Sequence, residues 1–298
     1  MSRALPPDPK VSIHIVSYNQ ADFIAEAISS AVEQDYANLE VVVSDDASTD
    51  RTSDIIREFS DRYPRRLKPV LNPVNLGITG NSNAGLAACT GDLIAFMGGD
   101  DVLVPGKIAA QVAWFRESST RVLCAHQVEV FYDDEARPAY PLSRHMISGK
   151  GAEGMIRHQP FGATSVMVRS DALPPWGFRE ELPIVSDIML WIDILASGGE
   201  YGFVEGTYAR YRKHDANVTN DPFRHLDEVR RTLEFTRRDY PQYADAVRYA
   251  EVRRLLYDPG VAMLASGRRQ QARKAFADVL RREPTFVKAW IRLAQSLA

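Results

Sequence analysis

The apolar positions at the start of the chain fall into short β-branched runs separated by stretches of helical period. Val11-Ser12-Ile13-His14-Ile15-Val16-Ser17 reads as a buried strand. Beyond Tyr18-Asn19, the residues Phe23, Ile24, Ala27, Ile28, Ala31 and Val32 follow helical spacing, with Asp22 near the N-cap position. Residues 39–44 predict a second strand. A second helix follows over 52–63, with Ile55, Ile56 and Phe59 on one face and Pro64 stopping it. Residues 68–71 and 93–97 predict strands three and four around a helix over 81–89, and a further helix runs from Pro105 to about Arg116. Residues 122–131 form a long strand, and 162–168 return to the sheet. Between them, 133–154 is polar and aperiodic, with the length of a functional lid or a disordered segment. Asp187 opens an apolar helix through Ile188, Leu190, Trp191, Ile194 and Leu195, closed by Gly198-Gly199.

Alternating strands and helices with short links imply right-handed crossovers and a mostly parallel sheet flanked by helices. From Pro222 onward strand signals vanish and arginines multiply. Gly267, Ala272, Ala275, Phe276, Leu280, Pro284, Ala289, Trp290 and Leu293 resemble one tetratricopeptide-type hairpin near 261–298, too short to bury its own face. The expected organisation is an α/β domain over 1–220 and a helical appendage over 221–298, packed on that domain or on a second subunit as a homo-oligomer.

Composition changes this picture little. At 298 residues, with a formal charge of −3, the chain has no general attraction to nucleic acid or anionic lipid. Its two cysteines, Cys89 and Cys124, lie in apolar segments and read as buried free thiols of a reducing compartment. No apolar run approaches the ~20 residues of a spanning helix, and the N-terminus lacks a secretory apolar core. The expectation is a cytoplasmic protein, with peripheral contact at the inner membrane face left open.

The chemistry sits at two strand ends. Phe96-Met97-Gly98-Gly99-Asp100-Asp101 runs from an apolar strand into paired carboxylates, and Asp45-Asp46 follows the second strand. Ligands of open parallel sheets bind at the carboxyl ends of strands, and paired aspartates supply the hard oxygen ligands by which Mg²⁺ or Mn²⁺ holds a diphosphate. Two familiar phosphate motifs are excluded. Gly98 to Lys107 fails P-loop spacing because Asp101 stands where Gly is needed, and no Gly-x-Gly-x-x-Gly follows the first strand.

Residues 11–19, Asp45-Asp46-Ala47-Ser48-Thr49-Asp50, Asn75-Leu76-Gly77, Gly91-Asp92 followed by Leu93 to Asp101, and Ser186-Asp187 with Trp191, in this order, resemble the family 2 glycosyltransferases of the GT-A fold. Arg212-Lys213-His214 followed by Asn217-Val218-Thr219 is similar to the basic segment that closes the catalytic domain in many members. The resemblance implies an inverting, metal-dependent enzyme. It would move a sugar from a nucleotide-sugar donor, most commonly a uridine diphosphate sugar, to a hydroxyl of a glycan or lipid-linked saccharide.

It further implies that Val16, Ser17, Tyr18, Asp45, Asp46 and Asp100 bind the nucleotide. Asp100 and Asp101 would hold Mn²⁺ or Mg²⁺, Asp187 would be the general base, and Arg212 and His214 are candidate diphosphate contacts. Two departures stand out: Gly98 occupies the place of the family's first motif aspartate, and Ser186 replaces an acid before Asp187. They motivate the rival reading of a non-catalytic sugar-nucleotide-binding or scaffold protein. A nucleotidyltransferase is disfavoured because no Gly-rich basic loop follows Tyr18. Asp50 reads as a helix cap, Asp187 has the plain N-cap as its bland alternative, and His14 reads as a hydrogen-bonded core histidine. His126, His145, His158 and His225 lack metal-ligand spacing. Asn217-Val218-Thr219 matches a glycosylation sequon with no use inside a cell.

Overall fold

The computed structural model describes residues 4–134, 136–142, 147–215, 217, 220, 223 and 225–297. Of the expectations above, Glu135, His145 and part of the 133–154 loop, Val218 and Thr219 of the sequon, and Pro222 lie outside the described residues. The chain divides into two compact units. One comprises the residues up to Met155 together with Gln159–Asp215, the other Ile156–His158 together with the chain beyond Asp215.

The first unit is built on strands β1 (Val11–Ser17), β2 (Leu39–Asp45), β3 (Leu67–Leu71), β4 (Leu93–Gly98), β5 (Val102–Leu103), β6 (Arg121–Phe131), β7 (Tyr140–Pro141), β8 (Gly149–Lys150), β9 (Met167–Arg169) and β10 (Glu200–Arg212). Their order is β3-β2-β1-β4-β9-β6-β10-β5, with β7 on β6 and β8 on β10. Neighbours in β3-β2-β1-β4 are parallel, as are β6 and β10; β9 runs antiparallel to both β4 and β6.

Helices α1 (Ile24–Val32), α2 (Thr52–Arg62), α3 (Gly77–Ala88), α4 (Lys107–Arg116) and α6 (Ser186–Ala196) connect and flank the strands, and α5 (Glu153–His158) begins in this unit and ends in the second. Ile13 and Ile15 of β1 share a core with Ile24 and Ile28 of α1, Ile56 of α2 and Ile108 of α4. On β4, Phe96 meets Trp191 of α6 edge to face at 5.0 Å and His14 at 5.7 Å. Near-continuous apolar runs such as β1 are what a sheet covered on both faces requires.

Gly85 lets α3 lie close: a Cβ there would stand 2.3 Å from His14 Nε2 and 2.9 Å from Ser44 Cβ. His14 is thus buried, but it is not the satisfied core histidine expected, since its Nε2 has no hydrogen-bond partner among the described residues. Burial lowers its pKa to about 4, keeping the ring neutral.

Several stretches differ from expectation, among them 162–168, where Ala163–Ser165 form a 3₁₀ turn and the strand is confined to Met167–Arg169. Helix α3 starts four residues early, because Asp46 orders its first turn (below). Phe23 rather than Asp22 precedes α1, with no side-chain cap. The thirteen-residue β10 has no counterpart among the strands expected from the sequence; its alternation is broken by register shifts between Val204 and Thr207, where Gly206 adopts φ +120°.

The second unit is helical: α7 (Leu226–Asp239), α8 (Ala244–Ala250), a π-helical segment (Glu251–Tyr257), α9 (Asp258–Ala265), α10 (Arg269–Arg282) and α11 (Val287–Leu297). Val252, Val279, Leu280 and Ala289 form its core, with Leu256, Tyr257, Phe286 and Leu293 packed against them. Gly267 turns the chain between α9 and α10 at φ +76°. No helix among the described residues is long and apolar enough to cross a membrane.

Candidate functional site

Register builds the site. Ser17 stands opposite Asp45 and Val16 opposite Gly98, so β1, β2 and β4 end at one level. The backbone continues the pairing just beyond: Asp46 N–H donates to Ser17 O at 3.0 Å and Gly99 N–H to Val16 O at 2.9 Å. Both acidic pairs therefore reach the carboxyl edge of the same sheet.

Asp45 is buried and serves its own loop. Its carboxylate accepts from Ser17 Oγ at 3.2 Å, Ser48 Oγ at 2.5 Å and Ser48 N–H at 3.0 Å, holding Ala47 at φ +56°. Asp46 faces the next loop, where Oδ1 accepts Leu76 N–H at 2.7 Å and its carbonyl accepts Asn75 Nδ2 at 3.2 Å. Asn81, unremarkable in sequence, gathers three elements by donating to Ser17 O and Ser44 O and accepting from Ser44 Oγ at 2.5 Å. On this frame Tyr18 is 48% exposed, beside an Asn19 fixed at φ +50° by Thr49 N–H. An open aromatic ring next to a buried carboxylate suits a nucleobase.

The second pair divides its labour. The Oδ2 of Asp100 lies 3.0 Å from His214 Nε2, and the His214 ring stacks on Phe23 at 4.7 Å. A Cβ at residue 98 would come within 2.5 Å of Asp100 Oδ1, so the glycine makes room for this carboxylate to fold back over it. Asp101 is buried, its Oδ2 accepting the Thr164 hydroxyl and its Oδ1 the Arg212 N–H at 3.2 Å. Burial, reinforced by the Asp100 charge, pushes its pKa up to about 8.

Behind Thr164 lies a fully buried lysine. Lys107 Nζ donates to Thr164 O at 2.9 Å and pairs with His126 Nε2 at 2.8 Å; burial lowers the lysine to about 7 and the histidine to about 2. The Arg212 guanidinium binds Glu26, Asp133 and the Asp100 carbonyl, and lies 4.6 Å from the centroid of Phe131. It is buried and ties the end of β10 to the Asp100 turn. Thr164, Glu26 and Asp133 carry no local motif, and only the fold brings them here.

Asp187 stands in the first turn of α6 and is not its cap: Val185 holds that position, and Asp187 Oδ1 accepts the Ile188 N–H at 2.8 Å. Burial raises its pKa, opposed by that hydrogen bond. Ser186 is buried and accepts Thr79 Oγ1 at 2.9 Å, while the same hydroxyl reaches Leu182 O at 2.6 Å. Ser186 thus fastens α6 to α3, whose start Asp46 orders. That chain of bonds links the start of α6 to the carboxyl edge of the sheet.

Among the described residues no three His, Cys, Asp or Glu side chains form a ready metal cluster. Asp100 and His214 nonetheless converge; the carboxylate is the hard oxygen donor that Mn²⁺ or Mg²⁺ takes when a ligand's oxygens complete the shell, and the imidazole, a softer donor, suits Mn²⁺ better than Mg²⁺. Asp101, desolvated and with both oxygens engaged, fits a supporting place better than a ligand's.

The family model for glycosyl transferase family 2 matches residues 12–171. An uncharacterized protein of Mycobacterium tuberculosis is 33% identical over 220 residues, 72% of this chain and 61% of the relative. The chain thus spans about three fifths of the length of such relatives. The Escherichia coli UDP-Glc:alpha-D-GlcNAc-diphosphoundecaprenol beta-1,3-glucosyltransferase WfgD is 27% identical over 225 residues, 74% of this chain and 83% of that one.

Among solved structures, S. aureus TarS 1-349 in complex with UDP superposes with a TM-score of 0.66 at 17% identity, covering 92% of this chain and 81% of that one. The mannosyltransferase PcManGT from Pyrobaculum calidifontis, in complex with GDP-Man and Mn²⁺, gives 0.63 at 21%, covering 98% and 88%. The fold is the expected GT-A type.

Proposed function

Because the chain belongs to glycosyltransferase family 2, we propose that it transfers a sugar from a nucleoside diphosphate donor to an acceptor hydroxyl, with inversion at the anomeric carbon. The observation that carries this reading is the register that sets Ser17 opposite Asp45 and Val16 opposite Gly98, which brings both acidic pairs to one sheet edge. Tyr18 stacks on the base and Asp46 accepts from a base N–H, with Val16 and Ser17 lining the floor. Asp45 holds that loop. Asp100, with His214 beside it, would hold Mn²⁺ or Mg²⁺, which when bound would stabilise negative charge on the diphosphate. Asp101 and Arg212 set the position of Asp100 from behind. The Asp187 carboxylate takes the proton of the attacking hydroxyl, and its raised pKa makes it a better base than an exposed aspartate.

UDP in the superposed TarS structure, and the UDP-Glc donor and diphospholipid acceptor in the name of the E. coli relative, support a uridine diphosphate sugar as donor and a glycan or lipid-linked saccharide as acceptor, while Mn²⁺ accompanies GDP-Man in the superposed mannosyltransferase. The test pairs a thermal-shift panel of UDP, GDP and dTDP with assays of nucleoside diphosphate release from the corresponding sugar nucleotides, with and without Mn²⁺. A ligand at ~100 times its dissociation constant adds ~2.7 kcal/mol of stability, which such a panel resolves. Selective, Mn²⁺-dependent stabilisation by one nucleotide and slow hydrolysis of its sugar are expected. No response to any nucleotide sinks the reading, and binding without turnover leaves only the scaffold.

A further inference from the structure

The helical unit carries a cavity of about 260 Å³ that the reading above leaves unused. Arg157, Arg253, Arg254 and Lys288 line it against one carboxylate, Asp258. Glu283, outside the lining, accepts from Arg253 at 2.6 Å, and the lining itself carries four cationic side chains to one carboxylate. In a chain of net charge −3 this concentration is local.

The guanidinium groups are held as a rigid fork. Arg157 and Arg253 lie 4.9 and 4.1 Å from the centroid of Tyr249, and Arg253 also lies 3.8 Å from that of Phe286. Stacking fixes the plane of a guanidinium and so the directions in which its N–H edges point, and one edge of Arg253 already donates to Glu283. Arg254 Nε is a buried donor with no hydrogen-bond partner among the described residues. A desolvated charged donor without an acceptor is costly, and the Asp258 carboxylate beside it supplies charge but accepts no bond from Nε. Both arginines sit on the π-helical segment Glu251–Tyr257, and widened turns of this kind concentrate at functional sites.

We propose that this cavity is a binding site for a phosphoryl group, a phosphate or diphosphate ester, held by Arg157, Arg253, Arg254 and Lys288. A phosphoryl group brings up to two charges and three acceptor oxygens to a set of forked donors, where a carboxylate brings one charge and two oxygens. The site shares no residue with the donor site and, relying on side-chain cations, needs no divalent ion.

The test titrates the full chain with inorganic pyrophosphate in EDTA, which removes the metal on which the donor reading depends. Binding by the parent and by Asp100→Asn is expected. At least a tenfold loss is expected in Arg254→Gln and in the double variant Arg157→Gln/Lys288→Gln, whose lysine is exposed and whose fold is checked by its melting curve. A second arm floats the protein with phosphatidylcholine vesicles with and without farnesyl diphosphate. Retention only on the diphosphate vesicles assigns the phosphoryl group to a lipid; binding of free pyrophosphate without retention assigns it to a soluble ester. The proposal falls if the parent binds in neither arm, or if the arginine and lysine variants bind as tightly as the parent. It falls equally if only Asp100→Asn loses binding, which would place pyrophosphate at the donor site.

Discussion

Asp187 and Asp101 are both carboxylates that burial makes harder to ionise, and the consequences run in different directions. For a general base the ionised form is the active one. The acid limb of kcat should therefore lie above the ordinary carboxylate range near ~3.9, because a raised pKa keeps Asp187 protonated to higher pH. Asp187→Asn should lower kcat by ~10²–10⁴, flatten that limb, and leave donor affinity and melting temperature near the parent's. A variant that transfers sugar within a few-fold of the parent would reduce Asp187 to an ordinary first-turn residue. Asp101 acts on stability. Its folded-state pKa of about 8 lies above an unfolded value near ~3.9, so the folded chain binds the extra proton and stability falls as pH rises through that window. Asp101→Asn cannot ionise. In chelator, urea unfolding at about pH 5 and about pH 8 should show the variant gaining on the parent as pH rises; a constant difference would mean that Asp101 is ionised throughout.

At the scale of elements, the β4 end and the turn beyond it are shaped by what is missing. The place where the family's first motif aspartate is common holds Gly98, and Asp100 occupies the space that a side chain there would take. A methyl at residue 98 would meet the end of that carboxylate at 2.5 Å, with Asp101 Oδ2 at an ordinary 3.5 Å, and would push Asp100 away from His214. Gly98→Ala should therefore melt close to the parent, within ~1 kcal/mol of its unfolding free energy, because no backbone must move. Its Mn²⁺-dependent affinity for nucleoside diphosphate should fall at least tenfold by calorimetry. Unchanged affinity would show that the Asp100 and His214 pair is not the cation's seat. The turn beyond is braced by β10, through the Arg212 N–H on Asp101 and the guanidinium on the Asp100 carbonyl. A strand unannounced by its own alternation thus sets the second acidic pair.

At the scale of the whole molecule, nucleotide and helical chemistry belong to different units. Every residue assigned to the donor lies in the first unit, whereas the core around Val252, Val279, Leu280 and Ala289 lies in the second. Phe276 is fully buried beside Gly260 and Tyr257. Phe276→Ala should destabilise the helical unit by ~3–5 kcal/mol in denaturant unfolding, the cost of an unfilled core site. Nucleoside diphosphate affinity under native conditions should stay at the parent's value. A fall in affinity that tracks the lost stability would show that the donor site depends on the helices.

What the sequence determined by itself is what local pattern can encode. Period and β-branching marked the strands that became β1, β2, β3, β4 and β6, because a strand covered on both faces must be apolar throughout, and the order of the acidic pairs marked the sheet edge. Asp45, Asp46, Asp100, Asp101 and Asp187 could be picked out because each follows or opens a periodic element. The identity of their partners could not. Asn81, Thr164, Glu26 and Asp133 are brought to them from elsewhere in the chain, as in Asp101 with Thr164, 63 positions apart, and Arg212 with Glu26, 186 apart. The division of the second pair into an accessible Asp100 and a desolvated Asp101, and the burial of Lys107 against His126, were decided only when strands distant in sequence closed over them. Ionisation and ligand capacity depend on the water and charge around a group, and both are properties of the assembled edge.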